Sequence, residues 1–166
     1  MAFYKDGVVS IPNVTGDIVI TASAVPSVTP IVNLVDTYGV ATGNRISLSS
    51  GNNSTQSGYT AFGSDQTKYI PISGGDVIRI KGSSVNIPSA SDGKSAICGY
   101  GADGTHTGAS QGNYLYVGMV SFSCTHTNGI YTITVPSTAP YPNLRLCFPC
   151  TDTSDLIITI NQEIPS

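Results

Sequence analysis

The run Ile130-Tyr131-Thr132-Ile133-Thr134-Val135 alternates without a break between a large apolar and a small polar side chain. A period of two is the signature of a strand with one buried face. It predicts Tyr131, Ile133 and Val135 turned toward a core and the threonines turned toward water. Val77-Ile78-Arg79-Ile80-Lys81 repeats the pattern after the turn cluster Ser73-Gly74-Gly75-Asp76, with Ile78 and Ile80 inward and Arg79 and Lys81 outward. Leu144, Leu146 and Phe148 share one face of a third strand, and Leu156-Ile157-Ile158-Thr159-Ile160 is a fourth. Ile78, Ile80, Tyr131, Ile133, Leu144, Leu146 and Ile158 are therefore the expected core.

Moving outward, shorter strands are expected at Arg45–Ser49, Gly58–Phe62, Lys68–Ile72, Ser95–Tyr100 and Tyr114–Val117, separated by clusters of Gly, Pro, Asn and Ser. No segment sustains a helical period. The chain has 166 residues, of which only 10% are charged, against a usual share of about 25%. Ser, Thr and Asn fill the vacancy, and these residues compete with helical hydrogen bonds. The expected fold class is all-β: a two-sheet β-sandwich of the jelly-roll kind, with an N-terminal β-hairpin appendage.

The appendage is read at residues 1–24, from strands Gly7–Ile11 and Asp17–Ala22 about a turn at Pro12-Asn13. Two prolines in Val25-Pro26-Ser27-Val28-Thr29-Pro30 mark a linker at residues 25–30, and the binding domain is placed at 31–166. An isolated hairpin is marginal in water, so the appendage is expected to pack on other surfaces, in a homo-oligomer, most simply a trimer.

The composition also excludes functions. The net charge is −3 with seven Lys and Arg scattered along the chain, so nucleic acid is not an expected partner. No apolar run is long enough to span a bilayer, and Tyr4-Lys5-Asp6-Gly7 interrupts any signal-peptide core, so neither membrane insertion nor a leader is expected. Cys98, Cys124, Cys147 and Cys150 include one C-x-x-C pair without a second knuckle, so no zinc and no other cofactor is expected. The cysteines read as reduced, small apolar residues. His106 and His126 each sit in a Thr-His-Thr triplet, and Glu163 is the lone Glu, so no acid–base pair or triad is spelled out and the chain is not expected to be an enzyme.

The candidate site is the polar stretch Gly101–Asn113, long for a connection in a compact domain. It is bracketed by Tyr100 and Tyr114 and contains Asp103, His106, Gln111 and Asn113. Aromatic faces stack on the C–H face of a sugar, and carboxylate, amide and imidazole groups match its hydroxyls. Tyr100, Asp103, His106, Asn113 and Tyr114 are thus the expected ligand contacts. A second reading stands beside this one: tyrosines at half-buried strand ends, flanking a bland connection. Asp92-Gly93 and Asp103-Gly104 likewise read either as turns or as oxygen donors for a hard cation such as calcium. The stretches Tyr38–Asn44 and Asn52–Phe62 carry similar residues, less concentrated, in what read as loops.

One set of residues goes beyond composition. Arg45-Ile46-Ser47-Leu48-Ser49-Ser50-Gly51, then Ser57-Gly58-Tyr59-Thr60, then Tyr69-Ile70-Pro71-Ile72-Ser73-Gly74-Gly75-Asp76-Val77-Ile78-Arg79-Ile80-Lys81-Gly82 resembles a recurring domain of tail-fibre and baseplate receptor-binding proteins in phages and prophages of Gram-positive gut bacteria. There a strand ends in R-L-S-S-S-G and a later segment resembles T-G-F-I-P-V-x-x-G-D-V-I-R-I-K-G. The segment Gly7–Thr21 resembles one found just upstream. The resemblance covers the first half of the chain and, in the second half, its closing strands. It implies a carbohydrate-binding-module-like sandwich at the outer end of a virion's tail, joined to other tail proteins and attached to a host-surface glycan. The alternative it leaves is a structural trimerisation or decoration module of a fibre. Where the family shows F-Y-D, this chain has Ile97-Cys98-Gly99-Tyr100-Gly101, and no binding residue is carried over.

Overall fold

The computed structural model describes residues 3–5, 8–10, 15–16, 29–47, 49–65, 67–87, 96–111, 116–117, 120–139 and 141–165. Two compact units divide the chain, Met1–Pro30 and Ile31–Ser166. In the first, β1 (Phe3–Lys5) pairs antiparallel with β2 (Val8–Ser10), Phe3 opposite Ser10 and Lys5 opposite Val8. The hairpin therefore forms one strand earlier than the sequence suggested, and the expected partner Asp17–Ala22 lies outside the described residues.

The second unit opens with a short helix, α1 (Leu34–Tyr38), followed by β3 (Val40–Ile46), β4 (Asn53–Phe62), β5 (Ile70–Pro71), β6 (Val77–Lys81), β7 (Ala96–Tyr100) and β8 (His106–Gln111). Then come β9 (Tyr116–Val117), β10 (Val120–Ser121), β11 (Ser123–Thr127), β12 (Ile130–Thr134), β13 (Asn143–Pro149) and β14 (Ile157–Ile160). Two antiparallel sheets pack as a sandwich: a four-stranded sheet ordered β11-β12-β6-β14 and a six-stranded one ordered β3-β4-β13-β7-β8, with β5 also on β13. The chain changes sheet between β4 and β6, between β6 and β7, and at each step from β12 to β13 to β14. Gly58–Phe62, expected as a strand, is the second half of β4, and the stretches 38–44 and 52–57, read above as loops, are mostly β3 and the first half of β4, because pairing with each other satisfies backbones whose side chains are too small and polar to show a strand period.

The alternation argument holds for the inner faces. Ile78, Ile80, Tyr131, Ile133, Val135, Leu144, Leu146, Phe148 and Ile158 are all buried in one cluster. Each fully buried Ile or Leu there contributes roughly 1.5–3 kcal/mol of transfer free energy. Arg79 and Lys81 do turn away from this core, but the C-terminal segment crosses over them. Arg79 donates to the Gln162 carbonyl at 3.3 Å and pairs with Glu163, and Lys81 donates to the Pro165 carbonyl at 2.7 Å.

The outer face of β13 does not meet water. Thr42 of β3 faces Thr60 of β4, but Asn44 faces Thr55, so residues 56–59 bulge against Gly43. Gly43 and Gly58 sit there at φ of 72° and 78°, a backbone region nearly closed to other residues. The bulge bends the hairpin so that Ile46 and Gly51 near its tip cover the back of β13 and β7. Underneath lies a second small core of Ile46, Ala61, Cys98, Tyr100 and Cys147. Its polar centre is Arg145, fully buried. The guanidinium donates to the carbonyls of Phe62 at 2.9 Å, Gly51 at 3.2 Å and Gly63 at 3.2 Å, and to Asn53 Oδ1 at 2.6 Å.

Those carbonyls belong to both ends of β4, so removing the fork should unlatch the hairpin. Arg145→Met is expected to destabilise the domain by about 3 kcal/mol or more, since several buried acceptors lose their donor together. Arg145→Lys, which keeps the charge but cannot span the acceptors, should cost less. Urea-denaturation midpoints at matched slope measure both.

Candidate functional site

The expected long loop is two things. Gly101–Thr105 is a closed turn, His106–Gln111 is strand β8, paired to β7 from Ala96 opposite Gln111 to Tyr100 opposite His106, and residues 112–113 lie outside the described residues. Its polar, Gly-rich sequence hides the strand because an edge strand needs no apolar face to hold its ladder. In the turn, Gly101 N–H donates to the Thr105 carbonyl at 2.9 Å and Gly104 N–H to the Gly101 carbonyl at 3.0 Å. Asn143 Nδ2, from the central strand β13, also donates to the Gly101 carbonyl, at 2.9 Å. Gly104 has φ of 79°, and a Cβ there would collide with the Tyr69 hydroxyl. The positive φ calls for glycine, and a side chain there would also displace the Tyr69 hydroxyl.

Asp103 is exposed on this turn, and its carboxylate accepts the Thr105 N–H at 3.0 Å. Hydrogen bonds from the Thr105 backbone and hydroxyl hold its carboxyl below the usual range. The Asp-Gly pair thus takes the turn role. Asp92-Gly93 lies outside the described residues. Among the described residues no three of His, Cys, Asp and Glu gather as a metal site would need.

Tyr100 is a correction: it is 2% exposed, its hydroxyl donates to the Gly51 carbonyl at 2.8 Å, and its ring stacks on Tyr69 with centroids 5.4 Å apart. It supports the site from below and offers no face to a ligand. Tyr100 shares a face of the sheet with Cys98 and Cys147, and the folded-over hairpin, through Ile46 and Gly51, is what buries it. Tyr69, half-buried and leaning on the turn, takes the aromatic place expected of Tyr100. Its neighbour in sequence, Lys68-Tyr69-Ile70, alternates as a strand should, so an outward Tyr69 was readable, but its approach to residue 104 was not. His106 begins β8 opposite Tyr100. Asn113 and Tyr114 lie outside the described residues. The structure thus joins Asp103, Tyr69 and the backbone of 101–105 at one end of the six-stranded sheet, with Tyr100 and Asn143 as their foundation.

A second aspartate-centred turn precedes Tyr69. Asp65 Oδ1 accepts from the Thr67 N–H at 2.7 Å and the Thr67 hydroxyl at 2.6 Å, and these bonds lower its pKa. The backbone at Gly63 packs tightly on Lys68. Tyr69 is therefore entered from a braced loop and rests on a braced turn.

The remaining reactive groups are dispersed. His126 is exposed and stacks on Tyr131, centroids 3.9 Å apart. Cys147, on β13, and Cys150, just past its end, are buried in different places, Cys147 in the small core and Cys150 in the main one. All four cysteines are free, and only Cys124 is partly exposed. Against protein-family models, curated proteins and solved structures alike, the chain gives no match.

The layer beneath the site carries its own pH signature. Burial, with Cys147 close by, pushes the Cys98 thiol from 9.0 to about 12, and burial likewise pushes the Tyr100 phenol from 10.0 to about 12. Both groups ionise more readily in the unfolded chain. Their contribution to stability is whole below about pH 9 and is lost as pH rises toward about 12. Chemical-denaturation midpoints should therefore fall across that alkaline window. In the native protein Cys98 and Cys147 should resist a thiol-reactive disulfide reagent until denaturant is added.

Proposed function

We propose that residues 31–166 form a non-catalytic receptor-binding domain that attaches a phage tail or similar particle to a host-surface glycan. The observation that carries this reading is the pairing of an exposed carboxylate, Asp103, with a half-buried aromatic ring, Tyr69, on a turn pinned by hydrogen bonds to the central strand. A carboxylate accepts sugar hydroxyls and a ring edge covers C–H surface. The bracing of 101–105 means little ordering entropy is lost on binding. The sequence resemblance to tail-fibre and baseplate domains points the same way, and so does the order of strands. Neighbours β4-β13-β7-β8 facing β12-β6-β14 suit a jelly roll, a frame common to lectin domains and capsids.

One site of this size binds a sugar weakly, because each hydroxyl exchanges water for protein at little net gain. Many copies on a particle make up the difference. The alternative, a structural decoration module of a fibre, needs no such site.

The test is a glycan array probed with the multivalent protein, followed by variants. Asp103→Ala and Tyr69→Ala are each expected to lower binding to the retained glycan by about tenfold or more, a loss near 1.4 kcal/mol. Asp103→Asn, which keeps an acceptor for the Thr105 N–H, should leave the melting temperature unchanged and still weaken binding. Binding that is unaffected in all three variants moves the site elsewhere, and an array with no retained glycan favours the structural module.

A further inference from the structure

The four-stranded sheet has two edges, and they are treated differently. On β14 the side chain of Asn33 stands in for a neighbouring strand. Its Oδ1 accepts the Ile158 N–H at 3.0 Å and its Nδ2 donates to the Leu156 carbonyl at 2.9 Å. Val32 N–H continues the closure onto Gln162 Oε1 at 2.9 Å. The opposite edge, β11, has β12 on one side and no described strand on the other. It runs Ser123-Cys124-Thr125-His126-Thr127 in unbroken register, with no bulge, no proline and no Lys, Arg, Asp or Glu. Ser123, Thr125, His126 and Thr127 are exposed. Strand edges left like this pair with other chains.

The direction of its free groups can be worked out. Asn128 and Gly129, at φ of 50° and 74°, make a two-residue turn that closes on Thr127 and Ile130. Such a turn closes on a hydrogen-bonded pair, and these pairs recur at every second residue. Ser123, Thr125 and Thr127 therefore spend their backbone groups on β12. The N–H and C=O groups of Cys124 and His126 point to the open edge.

We propose that this edge takes a second copy of the same chain, β11 against β11 in antiparallel register about a twofold axis at Thr125. In that register Cys124 of each chain falls opposite His126 of the other, so the groups that point outward meet groups that point outward, twice by symmetry. Thr125 meets Thr125 at the close, non-hydrogen-bonded position, where paired threonines are favourable. A slip by one residue would set outward groups against inward ones. The edge is uncharged, so self-pairing brings no like charges together, and it offers nothing to select a charged peptide instead. The result is a continuous eight-stranded sheet from two four-stranded ones. Antiparallel edge pairing is isologous, so it gives a twofold pair in place of the trimer expected from the sequence. The contact is small beside a standard interface, and the pair belongs to the weak, transient class.

Sedimentation of the full chain tests this without any glycan. From about 10 μM to about 1 mM the weight-average mass should climb toward that of a dimer. Thr125→Glu and Thr125→Lys, on the exposed outer face of β11, should each stay monomeric with the wild-type melting temperature. An equimolar mixture of the two should dimerise again, because the twofold axis then sets Glu beside Lys. Glycan binding by a single domain should be the same in these variants as in the wild type, which separates this inference from the proposed function. A wild-type protein that remains monomeric throughout, an oligomer of any order that survives Thr125→Glu, or a mixture that fails to restore the dimer would overturn it.

Discussion

A guanidinium buried against the six-stranded sheet with no ion pair to a carboxylate among the described residues is the constraint on which the rest of the domain is arranged. Arg145 faces no acidic side chain among the described ion pairs. Its charge is met by carbonyl dipoles from Phe62, Gly51 and Gly63 and by the Asn53 side chain. A buried charge costs several kcal/mol of desolvation, and only a nearly complete set of hydrogen bonds makes that tolerable. The acceptors come from the two ends of a single hairpin arm, so the charge can be satisfied only when the hairpin is bent back over the sheet. The bulge at Gly43 and residues 56–59 makes the bend, and Arg145 fixes it.

Much follows from that one fold-back. The central strand β13 becomes buried on both sides. Cys98, Cys147 and Tyr100 lie in a dry layer, which is why the Cys98 thiol and the Tyr100 phenol hold their protons so firmly. Tyr100, anchored to Gly51 by its hydroxyl, becomes a fixed plate on which Tyr69 stacks, and Tyr69 in turn fits against a turn that has no room for a side chain at residue 104. The chain of contacts from Arg145 to Asp103 is continuous, and each step is a buried or braced one. The turn at its end inherits the rigidity of the sheet.

The sequence was legible wherever one face of a strand meets core and the other meets water. Ile78 and Ile80, Tyr131 and Ile133, Leu144 and Leu146 declare their direction by alternation, and all are buried. With Leu144 and Leu146 inward, Arg145 takes the outer face of its strand, and Tyr100 shares that face, yet the face is dry. What dries it is a hairpin tip whose Gly51 lies 94 residues before Arg145 and 49 before Tyr100, and no local pattern reports contacts of that separation. Strand β8 was hidden for another reason. His106–Gln111 has no periodicity of its own, and its pairing is dictated by the turn before it and by the waiting edge of β7. Asp103 was readable as an exposed acceptor because Asp-Gly spells a turn in almost any context. Its aromatic companion was not, because Tyr69 arrives through the three-dimensional packing of two loops.

The edges of the four-stranded sheet complete the physical picture. A sandwich built from uncharged Ser, Thr and Asn lacks the lysines that commonly guard strand edges, so it must protect them by other means. At β14 a single asparagine does so, using both ends of its amide as a false strand while its Oδ1 also accepts the Val35 N–H at the start of α1. That device needs a chain segment lying alongside, which the entry into the domain at Val32-Asn33 supplies. At β11 the described chain supplies none. There an uncharged strand leaves the backbone groups of Cys124 and His126 directed outward. Closure of one edge and exposure of the other thus have one origin, a composition in which hydroxyls and amides have replaced charge.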